Sequence, residues 1–148
     1  MNMEEMIEQT GIKIKPLAQT IIDTWNTKVD EKIIQLYSSG YKGEDFSGSK
    51  KRTGVDGVKS WLNSVLHAFP NIHYTLVDYV ENGDRLVLHW LADGNHHGSF
   101  LKIPASGKPV TINGISFLRI ENGKITEGKL FWDLAGVLRQ IGLLPSLP

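Results

Sequence analysis

The sequence predicts an α+β fold: a cone-shaped, curved antiparallel β-sheet wrapped around N-terminal helices (an α+β barrel), closed by a short C-terminal helix. Two observations carry this. Up to Pro70 the apolar residues recur at helical spacing, and beyond it they follow the shorter period of strands. The second half also holds two Asn-Gly pairs, Asn82-Gly83 and Asn122-Gly123, which are strong hairpin signals. Helices followed by hairpin-linked strands argue for helices segregated to one side of an antiparallel sheet.

Each element follows from local patterning. Residues 1–15 read as a ragged lead-in. Pro16 suits a first helical turn, and Leu17, Ala18, Ile21, Ile22 and Trp25 share one helical face. Asp30 and Glu31 open a second helix, with Ile33, Ile34, Leu36 and Tyr37 as its apolar face and Gly40 as its stop. Residues 41–46 could form a short strand, and 47–53 read as loop. Gly54-Val55-Asp56-Gly57 leads into a third helix with Val58, Trp61, Leu62, Val65, Leu66 and Phe69 in its stripe. Strands are expected at 72–80, 86–92, 98–103, 109–120 and 124–133. A last helix spans 134–141, with Leu134, Val137, Leu138 and Ile141 on one face and Gly142 as its cap.

The chain is 148 residues, the size of one domain, with 41% apolar and 22% charged residues. One domain spanning 1–148, with its core at about 15–145, is the expectation. A chain of this size buries roughly two-thirds of its unfolded surface, enough for a core with a pocket. Lys plus Arg and Asp plus Glu are both 16, so the formal net charge is zero. That gives no overall field for nucleic acid or an anionic membrane, and neither is expected as a partner. The basic run Lys50-Lys51-Arg52 reads as a solvated loop tip. No cysteine is present, which excludes disulfides, thiolate zinc sites and a cysteine nucleophile. Without an apolar run near ~20 residues or a basic-then-apolar start, the expected location is the cytoplasm.

Several stretches carry a resemblance: Phe69-Pro70-Asn71, Gly83-Asp84-Arg85-Leu86-Val87-Leu88, Gly94-Asn95-His96-His97-Gly98-Ser99-Phe100, and Phe117-Leu118-Arg119-Ile120-Glu121-Asn122-Gly123-Lys124-Ile125. The ending Phe131-Trp132-Asp133-Leu134-Ala135-Gly136-Val137-Leu138-Arg139-Gln140-Ile141-Gly142 completes the set. In this order and spacing they resemble the SnoaL-like polyketide cyclases of the nuclear transport factor 2-like superfamily. The resemblance implies a cone-shaped α+β barrel. It also implies ring closure by intramolecular aldol condensation without metal or cofactor, and an aspartate after the last long strand as the acid/base, the place of Asp133. Homodimers are common in that family. The chain departs from the family at Gly94-Asn95-His96-His97-Gly98, at Gly128-Lys129 and at Tyr41-Lys42-Gly43-Glu44-Asp45.

Read from the residues alone, Asp133 has two roles open to it. Its apolar neighbours Phe131, Trp132, Leu134 and Val137 suit a base, because desolvation favours the protonated carboxyl. Its place before a helix suits an N-cap. His89 and Trp90 lie on opposite faces of one strand, and either face could line the cone. A three-residue turn at Asn122-Gly123 would put Asp133 on one face with Asn113, Phe117 and Arg119 and bring Lys129 and Phe131 inward; a two-residue turn would align it with Ile112. Trp25, Tyr37, Trp61 and Trp90 suit either core or the aromatic wall of a site for a flat, small hydrophobic molecule. His96 and His97 are adjacent, and His67 and His73 stand apart from any partner at metal-ligand spacing, so no metal site and no cofactor are expected. The functions that fit are a cofactor-free cyclase or isomerase for an enolisable hydrophobic carbonyl compound, a non-catalytic binder of the same fold, or an epoxide hydrolase. Since both faces of each strand hold large apolar residues, a homodimer or a dimer of dimers is expected.

Overall fold

The computed structural model describes residues 1–11 and 14–148. Helices α1 (Met3–Thr10), α2 (Leu17–Asn26) and α3 (Asp30–Ile34) come first. A β-hairpin, β1 (Tyr37–Asp45) and β2 (Lys50–Thr53), precedes α4 (Gly54–Ala68). Strands β3 (His73–Asn82), β4 (Arg85–Asn95), β5 (Pro109–Glu121) and β6 (Lys124–Trp132) then run to α5 (Leu134–Gln140). The six strands form one open sheet in the order β2-β1-β6-β5-β4-β3. The fold is α+β as expected, with one difference: β1 pairs parallel to β6, so the sheet is mixed.

The second hairpin turns at Asn122-Gly123 as its pair predicts, and the first turns one residue later than expected, at Gly83-Asp84. Asn82 faces Arg85 and Glu121 faces Lys124 across two-residue turns. Helices α2 and α4 lie on the concave side, where Ile21, Ile22, Trp25, Val58 and Leu62 pack with Leu86, Leu88 and Trp90. Burying each of these large side chains is worth about 1.5–3 kcal/mol.

Four further local expectations are corrected. The lead-in contains α1, held by a reciprocal cap: Asn2 Oδ1 accepts from Glu5 N while Glu5 Oε2 accepts from Asn2 N. The second helix stops at Ile34, and Gly40 lies inside a strand, not at a helix end. Tyr37, Tyr41, Gly43 and Asp45 are buried, and the chain is held there by long-range pairing to β6, which overrides the local helical pattern. Residues 50–53, read as loop, form the edge strand β2. Residues 98–103 form no strand: Leu101 and Lys102 take left-handed φ values of 50° and 63°, and Phe100 meets Ile103 in an isolated bridge. That tight reversal breaks the alternation their apolar content suggested.

Which face of each strand looks inward is now clear. Leu86, Leu88, Trp90 and Ala92 of β4 are buried, as are Val110, Ile112, Gly114, Ser116 and Leu118 of β5. The opposite set, including His89, Ile115 and Phe117, forms the convex face.

Candidate active site

Between the concave face and the helices lies a cavity of about 560 Å³. Its deep wall is aromatic. Trp25 meets Trp61 and Tyr74 edge-on at 6.2 and 5.4 Å, and Tyr74 meets Trp90 at 5.4 Å. Edge-to-face contacts at these distances add to the stabilisation from burial alone. The indole N–H groups are satisfied inside it: Trp25 Nε1 donates to Tyr37 Oη at 3.2 Å and Trp90 Nε1 to Ser116 Oγ at 3.0 Å. Gly114 leaves the room that the Trp90 ring occupies.

One carboxylate is sunk into this wall. Asp45 ends the inward-facing set of β1 and is 7% exposed. Trp132 Nε1 donates to its two oxygens at 3.0 and 3.2 Å, and Gly48 N donates to Oδ1 at 2.9 Å. Arg52 Nη2 lies 3.5 Å from Oδ2, and the Arg52 guanidinium sits 5.4 Å from the centre of the Trp61 ring. The carbonyl of Trp132 accepts from Ser47 Oγ, and Ser47 Oγ accepts from Trp132 N, which pins the loop after Asp45 to β6.

Three phenols face the same space. The Tyr37 and Tyr41 rings are 4.8 Å apart. Tyr41 Oη lies over Gly43 and Gly128, whose missing side chains make room for it. Burial pushes the Tyr37, Tyr41 and Tyr74 hydroxyls above the usual tyrosine range, so all three remain hydrogen-bond donors at neutral pH. The Tyr41 and Tyr74 hydroxyls line the cavity with no hydrogen bond to another described residue, and neither is sealed from it.

Of the residues singled out from sequence, Trp25, Tyr37, Trp61 and Trp90 line the cavity, and Lys129 borders it while standing in register with Phe117 on the convex face. Asp133, His89, Asn113, Phe117, Arg119 and Phe131 do not, and the inward reading of these six is corrected. The turn at Asn122-Gly123 has two residues, yet a bulge between Arg119 and Ile120 shifts the parity of the rest of β6. Asp133 therefore ends beside Asn113, its N–H donating to the Asn113 carbonyl at 2.9 Å. That is the face anticipated for a three-residue turn, but it is the convex one. Asp133 is exposed and caps α5, its Oδ1 accepting from Gly136 N at 2.8 Å. On the same face His89 Nε2 meets Asn113 Oδ1 at 2.6 Å, and Arg119 pairs with Asp84 and Glu127 at 3.5 and 3.7 Å. Phe131 stacks on Phe46, with ring centres 4.6 Å apart, and meets Phe117 edge-on at 6.0 Å.

A family model described as SnoaL-like polyketide cyclase matches residues 15–141. The chain belongs to this family. The curated relative aklanonic acid methyl ester cyclase DnrD of Streptomyces peucetius is 23% identical over 128 residues, covering 85% of this chain and 88% of its own. Among solved structures, TsrD of Streptomyces laurentii superposes with a TM-score of 0.76 at 23% identity, covering 89% of this chain and 100% of that one. A protein with a ketosteroid isomerase-like fold from Catenulispora acidiphila gives 0.75 at 20% identity, over 91% of this chain and 100% of its own. At these identities the superpositions show the fold.

In this SnoaL-like chain the cavity carboxylate that sequence reasoning passed over is Asp45. It stands in the polar run Tyr41-Lys42-Gly43-Glu44-Asp45. Only the alternation Tyr41, Gly43, Asp45 hinted at a shared inward face, and two glycines within β1 obscured it. Among the described residues, no three His, Asp or Glu side chains converge as a metal cage would require.

Proposed function

We propose that the chain is a cofactor-free cyclase or isomerase acting on an enolisable, polyketide-like hydrophobic carbonyl compound, with Asp45 as its proton-transfer group. The observation that carries this is a nearly buried carboxylate in the aromatic wall of a cavity large enough for a flat polycyclic molecule. Asp45 takes a proton from the carbon next to a carbonyl, and the electron pair moves to the carbonyl oxygen. The Tyr41 and Tyr74 hydroxyls donate to that developing enolate. Isomerisation returns the proton to another carbon. Ring closure instead lets the enolate carbon attack a second carbonyl, and the resulting alkoxide takes the proton back from Asp45. Membership of the cyclase family supports the chemistry, and the aromatic walls support the substrate class.

A binding role without chemistry has one observation in its favour: the Asp45 oxygens already accept from Trp132 and Gly48 and face Arg52. Proton exchange separates the two readings. β-Tetralone, a bicyclic enolisable ketone, is incubated with the protein in deuterated buffer and its α-protons are followed by NMR. Exchange faster than in buffer is the expected result. Saturable binding of the ketone with exchange at the buffer rate would favour the binder.

A further inference from the structure

Charge is unevenly distributed around the cavity. The chain is neutral, yet Lys50, Arg52, Lys102 and Lys129 border this space against only Glu44 and Asp45, and of these Glu44 and Lys129 belong by register to the convex face. Asp45 and Arg52 face each other within the wall. The remaining cations, Lys50, Lys102 and Lys129, are exposed, and among the described residues none forms an ion pair with a carboxylate. Lys50 and Lys102 border the same cavity. Lys50 is the register partner of Asp45. Asp45 holds Trp132, the Trp132 ring centre is 5.6 Å from that of Phe100, and Lys102 follows Phe100 by two residues. Lys102 is held there by two successive left-handed backbone positions, which non-glycine residues adopt rarely and where surrounding structure must hold them. Glu44 stands in register with Lys129, and Lys129 with Phe117, so this charge pair belongs to the convex face and leaves Lys50 and Lys102 as the cations of the inner side.

We propose that the ligand of this cavity is an anion: a flat hydrophobic body bearing a free carboxylate or comparable oxyanion, which Lys50 and Lys102 hold at the mouth. The inference rests on the reading of the cavity as the substrate site, and adds to it a charge requirement that the apolar walls do not impose. With the body among Trp25, Trp61 and Trp90, the anionic group stays at the rim. It remains part-solvated there, which avoids the cost of burying a charge. Attraction to two lysines also raises the encounter rate at low salt.

Two dyes with the same aromatic body test this: anilinonaphthalene sulfonate, an anion, and N-phenyl-naphthylamine, which is neutral. Binding is followed by dye fluorescence and by quenching of the four tryptophans, all of which line the cavity. The anionic dye should bind more tightly, and its affinity should fall as salt rises. Lys50→Glu and Lys102→Glu should each weaken it by roughly three- to tenfold at low salt, and leave the neutral dye within about twofold. Equal affinity for both dyes, or anion binding indifferent to both substitutions, would overturn the charge requirement while leaving the cavity a binding site. Failure of both dyes to bind would overturn the cavity reading and the inference with it.

Discussion

The Tyr41 hydroxyl occupies space that two glycines leave open, and this gives a prediction that can be worked atom by atom. A Cβ at Gly128 would lie 2.6 Å from Tyr41 Oη, with Leu118 Cδ2 and Tyr41 Cε2 next at 3.4 Å. The first contact is far inside van der Waals range and the others are close to ordinary. Gly128→Ala should therefore cost about 1–3 kcal/mol through overpacking. At about 4 °C per kcal/mol for a chain of this length, the melting temperature should fall by roughly 4–12 °C. Tyr41→Phe removes the one atom that clashes and should be cheap alone, since that hydroxyl bonds to no described residue. In the double variant most of the loss should vanish, a coupling of about 1–3 kcal/mol. Gly43 behaves differently. There a Cβ would also meet Tyr41 Cζ and Cε1 at 2.8 and 2.9 Å, atoms that phenylalanine keeps. Tyr41→Phe should leave Gly43→Ala largely unrescued. Thermal unfolding of the three single and two double variants is the assay. A neutral Gly128→Ala, or equal rescue of both glycine variants, would refute this placement of the Tyr41 ring.

Asp133→Ala should lose one helix cap worth about 1 kcal/mol, lowering the melting temperature by roughly 4 °C in a thermal melt. In alkali, burial raises the Tyr37, Tyr41 and Tyr74 hydroxyls in the folded state, so folded protein holds these protons more tightly than unfolded. Their contribution is complete below a pH of about 10 and is lost as pH rises beyond it. Phenolate absorbance should show these three tyrosines titrating only as the protein unfolds; free titration of all tyrosines near pH 10 in folded protein would contradict their burial. The convex face exposes Phe46, Ile115, Phe117 and Phe131 at 39–47%. A second copy of the chain is the proposed cover, so light scattering should give a dimer mass and Phe117→Glu a monomer; a monomeric parent chain would refute the pairing.

The sequence patterns that proved reliable were local ones. The α4 stripe from Val58 to Phe69, the Asn122-Gly123 turn and the Gly142 stop of α5 rest on contacts within a few residues, and they are where the patterns place them. The β1 strand was obscured because its stabilising partner, β6, lies about eighty residues on, while its own Ser38-Ser39-Gly40 has little strand preference. Inward and outward faces were ambiguous because Leu88 and Trp90 face inward while Ile115 and Phe117, equally apolar, face out. The bulge beside Ile120 decided the side on which Asp133 emerges, and no residue type marks it. Asp45 was passed over for the same reason: its apolar surroundings, Trp132 above all, come from a distant strand, and its own flanks are Glu44 and Phe46, both on the other face.

The central claim is that proton transfer belongs to the buried carboxylate of β1 and not to the exposed cap of α5. Exchange of the β-tetralone α-protons into deuterated buffer, compared between the parent protein, Asp45→Asn and Asp133→Ala, tests it most directly. Asp45→Asn should slow the catalysed exchange by ~100- to 10,000-fold with its fold intact by circular dichroism. Asp133→Ala should exchange within about twofold of the parent, because its carboxylate holds a helix end on the convex face. Parent-like exchange in Asp45→Asn, or its loss in folded Asp133→Ala, would contradict the account.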